Sequence, residues 1–176
     1  LHPQAMQLRS RFGVGCDWPI TYADLESYYG LCEQLIGVAG PAEQGARWRS
    51  TPFPLPPHPL SPAAKRLQAA GARLGMDWQA NSRAALSMPY DGRPACNYCG
   101  NCSRGCPVGD KGSADVTFIR KAEQTGRLAL RSDSRLLRLH PAAGGRIASI
   151  EYVKGKTTYR VETPVLVLAA GAIQTP

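Results

Sequence analysis

Val165-Leu166-Val167-Leu168-Ala169, followed by Ala170-Gly171-Ala172-Ile173-Gln174-Thr175-Pro176, carries the strongest fold-class signal in the chain. Its first five residues are apolar without interruption, the pattern of a strand covered on both faces in a parallel sheet flanked by helices. The small residues Ala170, Gly171 and Ala172 then allow a second backbone or a cofactor to approach closely. An apolar strand ending in small residues is also ordinary core packing, so the pattern alone does not establish a ligand.

Upstream of that run the period is that of strands. Leu128 to Leu130, Ser134 to Leu139, Ile147 to Val153 and Tyr159 to Thr163 read as a meander, with Gly144-Gly145 and Lys154-Gly155-Lys156 as turns. Farther back the period becomes helical. Thr21 is placed to cap a helix carrying Leu25, Tyr28, Cys32, Leu35 and Ile36 on one stripe, with Gly37 closing it, and this makes Cys32 a packed thiol. Ser61 and Pro62 open a second helix whose stripe is Ala63, Leu67, Ala70 and Leu74, ended by Gly75. A short helix is predicted from about Val116 to Thr125. Between the first two helices, Thr51 to Pro62 is crowded with prolines and must run extended across a surface. The expected class is therefore α/β with α+β insertions. The expected segments are residues 1–50 (helical), 51–92 (proline-rich crossing and helix), 93–112 (a cysteine-rich loop) and 113–176 (helix, meander and buried strand).

Within the third segment, Cys96, Cys99, Cys102 and Cys106 match the spacing C-x2-C-x2-C-x3-C-P of bacterial iron–sulfur proteins. Soft thiolates at this density select zinc or iron–sulfur over hard cations. Structural zinc favours two knuckles a dozen or more residues apart, and only one such loop is present. Disulfides would require an oxidising compartment and strained pairing of close neighbours. In two-cluster ferredoxins the fourth cysteine of this motif serves the other cluster, so a literal reading selects Cys96, Cys99 and Cys102 with a remote thiol such as Cys16. Asn101-Cys102-Ser103 fits a glycosylation sequon that a cluster loop would leave no room to use.

The formal charge of +8 is scattered, without the basic runs or interleaved aromatics of a nucleic-acid platform, and reads as a solvated basic face. No apolar run is long enough to cross a membrane as a helix. Gly13-Val14-Gly15 lacks the third glycine of a dinucleotide loop, and Trp18-Pro19 stands where its helix should open. The chain starts without methionine and stops just after the apolar run, which raises the expectation of an internal fragment of a longer protein.

Two separated stretches share a family resemblance. Val165 to Pro176 resembles the strand and opening of the second signature of the glucose-methanol-choline (GMC) flavoprotein oxidoreductases. Cys16-Asp17-Trp18-Pro19-Ile20-Thr21-Tyr22-Ala23-Asp24-Leu25-Glu26-Ser27-Tyr28-Tyr29 is similar to a segment common in their bacterial dehydrogenases. The cysteine loop is similar to that of the branch holding the gluconate 2-dehydrogenase-like, sorbitol, fructose and glucose dehydrogenase large subunits. The resemblance covers essentially the whole chain. It implies a partial FAD-binding, Rossmann-type fold whose dinucleotide loop lies N-terminal and whose catalytic histidine lies C-terminal to these residues. No catalytic residue is therefore assigned; His2, His58 and His140 match no catalytic position.

The resemblance further implies an FAD-dependent dehydrogenase acting on CH–OH groups of a sugar, polyol or sugar acid. Its electrons would pass from flavin through the cluster to a cytochrome subunit or quinone, in a protein facing the bacterial periplasm; the isolated 176 residues would be inactive. Asp133-Ser134-Arg135-Leu136-Leu137-Arg138-Leu139 resembles the strand whose backbone meets the adenine end of FAD, with Leu136 at that position; Ala170 and Gly171 match residues passing close to the dinucleotide. The family's three-iron pattern C-x5-C-x3-C maps onto Cys96, Cys102 and Cys106. It favours a 3Fe-4S cluster and leaves a 4Fe-4S cluster open if Cys99 also reaches the core.

Overall fold

The computed structural model of the chain describes residues 2–42 and 49–171. These form two compact units, Leu1–Arg127 and Leu128–Pro176. Ala172 to Pro176, the end of the opening stretch, lie outside the described residues.

In the first unit a short helix α1, Leu8–Phe12, precedes α2, Tyr22–Ile36. The expected caps of α2 are both present. Asp24 Oδ2 accepts from the backbone N–H and the hydroxyl of Thr21, at 2.8 and 2.7 Å, and Gly37 closes the helix in the left-handed region at φ +79°. The stripe is only partly covered, with Leu25, Leu35 and Ile36 half-buried and Tyr28 and Cys32 exposed. Cys32 is thus not the packed thiol that its spacing suggested, because helical periodicity defines a face without stating what covers it.

On α2 the residue most removed from water is Glu26, whose carboxylate accepts from the Ser50 N–H at 2.7 Å and the Ser50 hydroxyl at 2.6 Å. The Ser50 hydroxyl foremost, then its N–H, hold the Glu26 carboxyl below the usual range. A depressed carboxyl stabilises the fold above its unfolded value, about 4.3, and this contribution is lost as pH falls through the lower folded value. Glu26→Gln cannot titrate, so between about pH 6 and pH 3 its urea midpoint should fall less than that of the wild type. Parallel loss in both proteins would refute the assignment.

The helix α3, Pro62–Arg73, begins as expected, with the Ser61 hydroxyl accepting from the Ala64 N–H at 3.1 Å. Its supposed apolar stripe is exposed: Leu67 and Leu74 are 54% and 76% accessible. The buried position is Gly71, where a Cβ would meet the Trp78 ring. A π-helical turn, Asp115–Ile119, runs directly into α4, Arg120–Gln124, where one short helix was expected.

The core of this unit is built from isolated bridges. Ala39 pairs with both Leu55 and Arg83, and Ala39, Leu55 and Leu86 form a buried apolar cluster with Tyr90 packed against it. The proline-rich crossing is extended as expected but does not merely cross a surface; it inserts Leu55 and His58 into the interior. Asp91-Gly92 turns the chain with both residues at positive φ, +52° and +69°, so that Tyr90 and Arg93 exchange backbone hydrogen bonds at 3.0 Å.

The second unit is an antiparallel meander of β1 (Ser134–Pro141), β2 (Ile147–Lys154) and β3 (Thr157–Glu162) in that spatial order. Ser149 and Tyr152 on the central strand are its buried residues. The Tyr152 ring stacks on Tyr159 at 5.3 Å, and Arg160 Nε donates to the Ser149 hydroxyl at 2.8 Å. Leu128 to Leu130 do not join the sheet. Nor do Val165 to Ala169 form the expected strand; Val165 and Val167 are 75% and 81% accessible. A strand covered on both faces needs neighbours along its edges, and the described strands pair only with one another.

Candidate functional site

The cysteine loop is tied at its neck. On the entering side the Cys96 N–H donates to the Leu86 carbonyl at 2.9 Å. On the leaving side the Gly112 N–H donates to the Ala84 carbonyl at 2.8 Å, and Lys111 bridges to Ala85. Both ends therefore dock on the one segment Ala84–Leu86, whose last residue is a core side chain. Arg93, buried to 5% exposure, reinforces the neck by donating to the carbonyls of Asp110 and Ile36.

Between those ties the four sequence-predicted thiols come to one place. Cys96, Cys99, Cys102 and Cys106 all line a single cavity of about 410 Å³, together with His58, Asp110 and Lys111. All four are free thiols, Cys96 and Cys106 half-buried and Cys99 and Cys102 exposed. Cys16 is a free, exposed thiol that does not line this cavity. The Cys106 thiol donates to Asp110 Oδ1 at 2.8 Å, and the sulfur of Cys96 accepts from the Tyr98 N–H at 3.4 Å. Burial pushes the Cys96 thiol up, against the Tyr98 N–H, while the Asp110 carboxylate adds to the rise. Among the described residues, no three His, Cys, Asp or Glu side chains stand close enough to hold one metal ion. The four thiols are soft ligands by chemistry and share one cavity wall, but their sulfurs do not converge on one ion.

His58, Asp110, Lys111 and Arg93 were missed by spacing alone. His58 is a satisfied interior histidine: Nε2 faces the Ala85 carbonyl at 2.9 Å and Nδ1 the Tyr98 hydroxyl at 3.0 Å. Since a carbonyl only accepts, Nε2 carries the proton and Nδ1 accepts from Tyr98. That bond holds Tyr98, whose φ of +57° is rare for a residue with a side chain, between Cys96 and Cys99. His58→Ala should cost about 1–3 kcal/mol through the unpaired Ala85 carbonyl. It should also speed amide hydrogen exchange at Tyr98 and Cys99; unchanged exchange there would remove His58 as the support of the loop.

The remaining predicted contacts lie in the second unit. Leu136, 42% exposed, is on the edge strand β1, beside a register irregularity between Leu136 and Arg138. An edge strand keeps one row of backbone groups unpaired in the sheet. Ala170 and Gly171 are exposed, and Gly171 is left-handed at φ +95° with open space where a Cβ would stand. His140 pairs with Glu151 at 3.2 Å, and His2 caps the first turn by accepting from the Gln4 N–H.

A GMC oxidoreductase family model matches residues 55–176, from the core residue Leu55 through the thiol loop and the meander. The chain belongs to the GMC oxidoreductase family. GMC oxidoreductases are FAD-binding, and residues 55–176 match the N-terminal, FAD-binding part of that family. Among curated relatives, it is 36% identical to the 6'''-hydroxyparomomycin C oxidase of Streptomyces lividus, over 92% of this chain and 30% of that protein. It is 32% identical to the fructose dehydrogenase large subunit of Gluconobacter japonicus, over 99% of this chain and 32% of that protein. The 2-methyl-1,2-propanediol dehydrogenase of Mycolicibacterium austroafricanum is 27% identical over 91% of this chain and 29% of its own length. This GMC chain therefore spans about a third of the length of these relatives. Its helices and small antiparallel sheet are those of a partial α/β fold.

Proposed function

We propose that this GMC chain is part of an FAD-dependent dehydrogenase that oxidises CH–OH groups of a sugar, polyol or sugar acid. In this reading the thiol cavity holds an iron–sulfur cluster that relays electrons to a cytochrome subunit or quinone. The carrying observation is the gathering of four thiols around one cavity, on a loop fastened at both ends to the core of a flavoprotein domain. Bound FAD would accept the hydride from the substrate carbon, and a bound cluster would pass electrons on singly. The backbone at Leu136 and the small residues Ala170 and Gly171 would lie along the dinucleotide. Cys96, Cys102 and Cys106 would hold the cluster, with Cys99 as a fourth thiol. The fructose dehydrogenase relative supports a sugar-class substrate, and a periplasmic location accompanies this reading.

A second reading is a GMC oxidoreductase whose loop carries no cluster. It is favoured by the sulfurs not meeting at one point and by relatives named as oxidases. The family match across residues 55–176 weighs against a free-standing ferredoxin-like or zinc-stabilised module. Iron and acid-labile sulfide analysis of anaerobically purified full-length protein, with paramagnetic spectra, separates the two. The relay reading requires stoichiometric iron and sulfide and faster turnover with a dye or quinone than with oxygen. Iron-free protein that reduces oxygen readily would sink it.

A further inference from the structure

The helix α3 turns its small residues to the interior and its leucines to solvent. Its inward side is Ala64, half-buried, and Gly71, buried so close to Trp78 that a Cβ would stand 2.6 Å from the ring. Gln68 fastens this side by donating from Nε2 to the Trp78 carbonyl at 2.7 Å. Ala63, Leu67, Ala70 and Leu74 follow the helical repeat along an adjacent stripe, and all four are exposed. Arg66 and Arg73, each one residue before a leucine of the stripe, run along its edge, with Lys65 farther round the helix. No Asp or Glu occurs from Ser61 to Gly75, and among the described residues none of these three cations forms an ion pair within 4 Å. Just beyond the helix, Met76 and Trp78 are also exposed.

We propose that α3, with Met76 and Trp78, is a docking face for an anionic lipid surface, on which the helix lies in the plane of the bilayer interface. An exposed apolar stripe beside uncompensated cations, on a helix of low overall hydrophobicity, is the composition of an interfacial helix. Leu67 and Leu74 would enter the acyl boundary. Arg66 and Arg73 would lay their stems along it and keep their guanidinium groups among the lipid phosphates, which accept bidentate hydrogen bonds. Trp78 and its polar N–H suit the headgroup level. The charge of this face selects the occupant. A second copy of the chain would bring the same patch of cations and the same net charge of +8, so like charges would meet, whereas an anionic bilayer complements them. A fluid bilayer also moulds itself to a convex helix flank without a preformed pocket. The inference is independent of the thiol cavity and of what that cavity holds.

The test is co-sedimentation of the full-length protein with vesicles of phosphatidylcholine alone and of equal parts phosphatidylcholine and phosphatidylglycerol. The wild type should pellet with the mixed vesicles, leave the pure phosphatidylcholine vesicles largely unbound, and be released progressively by added salt. The double variant Leu67→Glu with Leu74→Glu, both on exposed positions, should lower the partition coefficient about tenfold or more. Arg66→Gln with Arg73→Gln should weaken binding and flatten its dependence on salt. Thermal melting of each variant checks that the fold is kept; if the glutamate variant does not fold, the arginine variant decides alone. A wild type that ignores the mixed vesicles, or binds both kinds equally, overturns the proposal, as does undiminished binding by folded variants. A drop in oligomeric state on Leu67→Glu with Leu74→Glu, without lipid binding by the wild type, would assign the face to a second copy instead and overturn the lipid reading.

Discussion

On the relay reading proposed above, Cys106→Ser should leave the full-length protein without iron, whereas Cys99→Ser should not. The two thiols stand in different surroundings although the motif treats them alike. Cys106 is half-buried, aimed at Asp110 in the wall of the cavity, and serine there would present a harder, poorly ionised ligand in a site that selects by softness. Cys99 is exposed, and its N–H is taken up by the Asn97 side chain at 3.2 Å in a local turn. The expected readout is near-complete loss of iron, sulfide and the paramagnetic signal in Cys106→Ser. Flavin reduction by substrate should persist while transfer to a quinone or dye collapses, because hydride transfer does not use the loop. Cys99→Ser should keep all three signals. Loss of the cluster in both variants would instead assign four ligands and a four-iron core.

The second large effect is on stability. Gly37→Ala should destabilise the protein by roughly 2–4 kcal/mol, from two additive causes. Gly37 closes α2 at φ +79°, where any side chain is strained, and a Cβ there would come within 2.7 Å of Leu86 and 2.8 Å of the Tyr90 ring. Leu86 is fully buried, so it cannot swing aside without opening the core. Gly13 supplies the control. It has a similar φ of +72° but no atom within 4 Å of its would-be Cβ, so Gly13→Ala should cost only about 1 kcal/mol. Denaturant midpoints of the two variants in the full-length protein separate conformational strain from overpacking; equal losses would show that the Leu86 contact contributes nothing.

These contrasts show what the residue string can state about itself. The ends of α2 and α3 were legible because Thr21, Gly37 and Ser61-Pro62 act on their immediate neighbours, through caps and a fixed φ. The meander was legible because its strands are joined by short turns and pair with adjacent segments. Coverage was not legible. Leu67, Leu74 and Cys32 sit on apolar stripes yet face solvent, and Val165 to Ala169 have the composition of a central strand without the neighbouring ladders that would make one.

The same division holds at the site. Four cysteines announce themselves by spacing, whereas His58 and Arg93 act across long separations in sequence, which no local window reads. Asp91-Gly92 was the one available clue. It is a tight-turn dipeptide, and recognising it would have turned the chain back at Arg93.

The neck of the thiol loop also bears on how such proteins change over time. Because Cys96 and Gly112 are both anchored to Ala84–Leu86, the ends stay together whatever lies between them, and doubling the length of a flexible loop costs only about 0.6 kcal/mol. The loop is a replaceable cassette in a fixed socket. Sulfurs can be gained, lost or respaced by substitution, insertion or deletion between the anchors without refolding the domain.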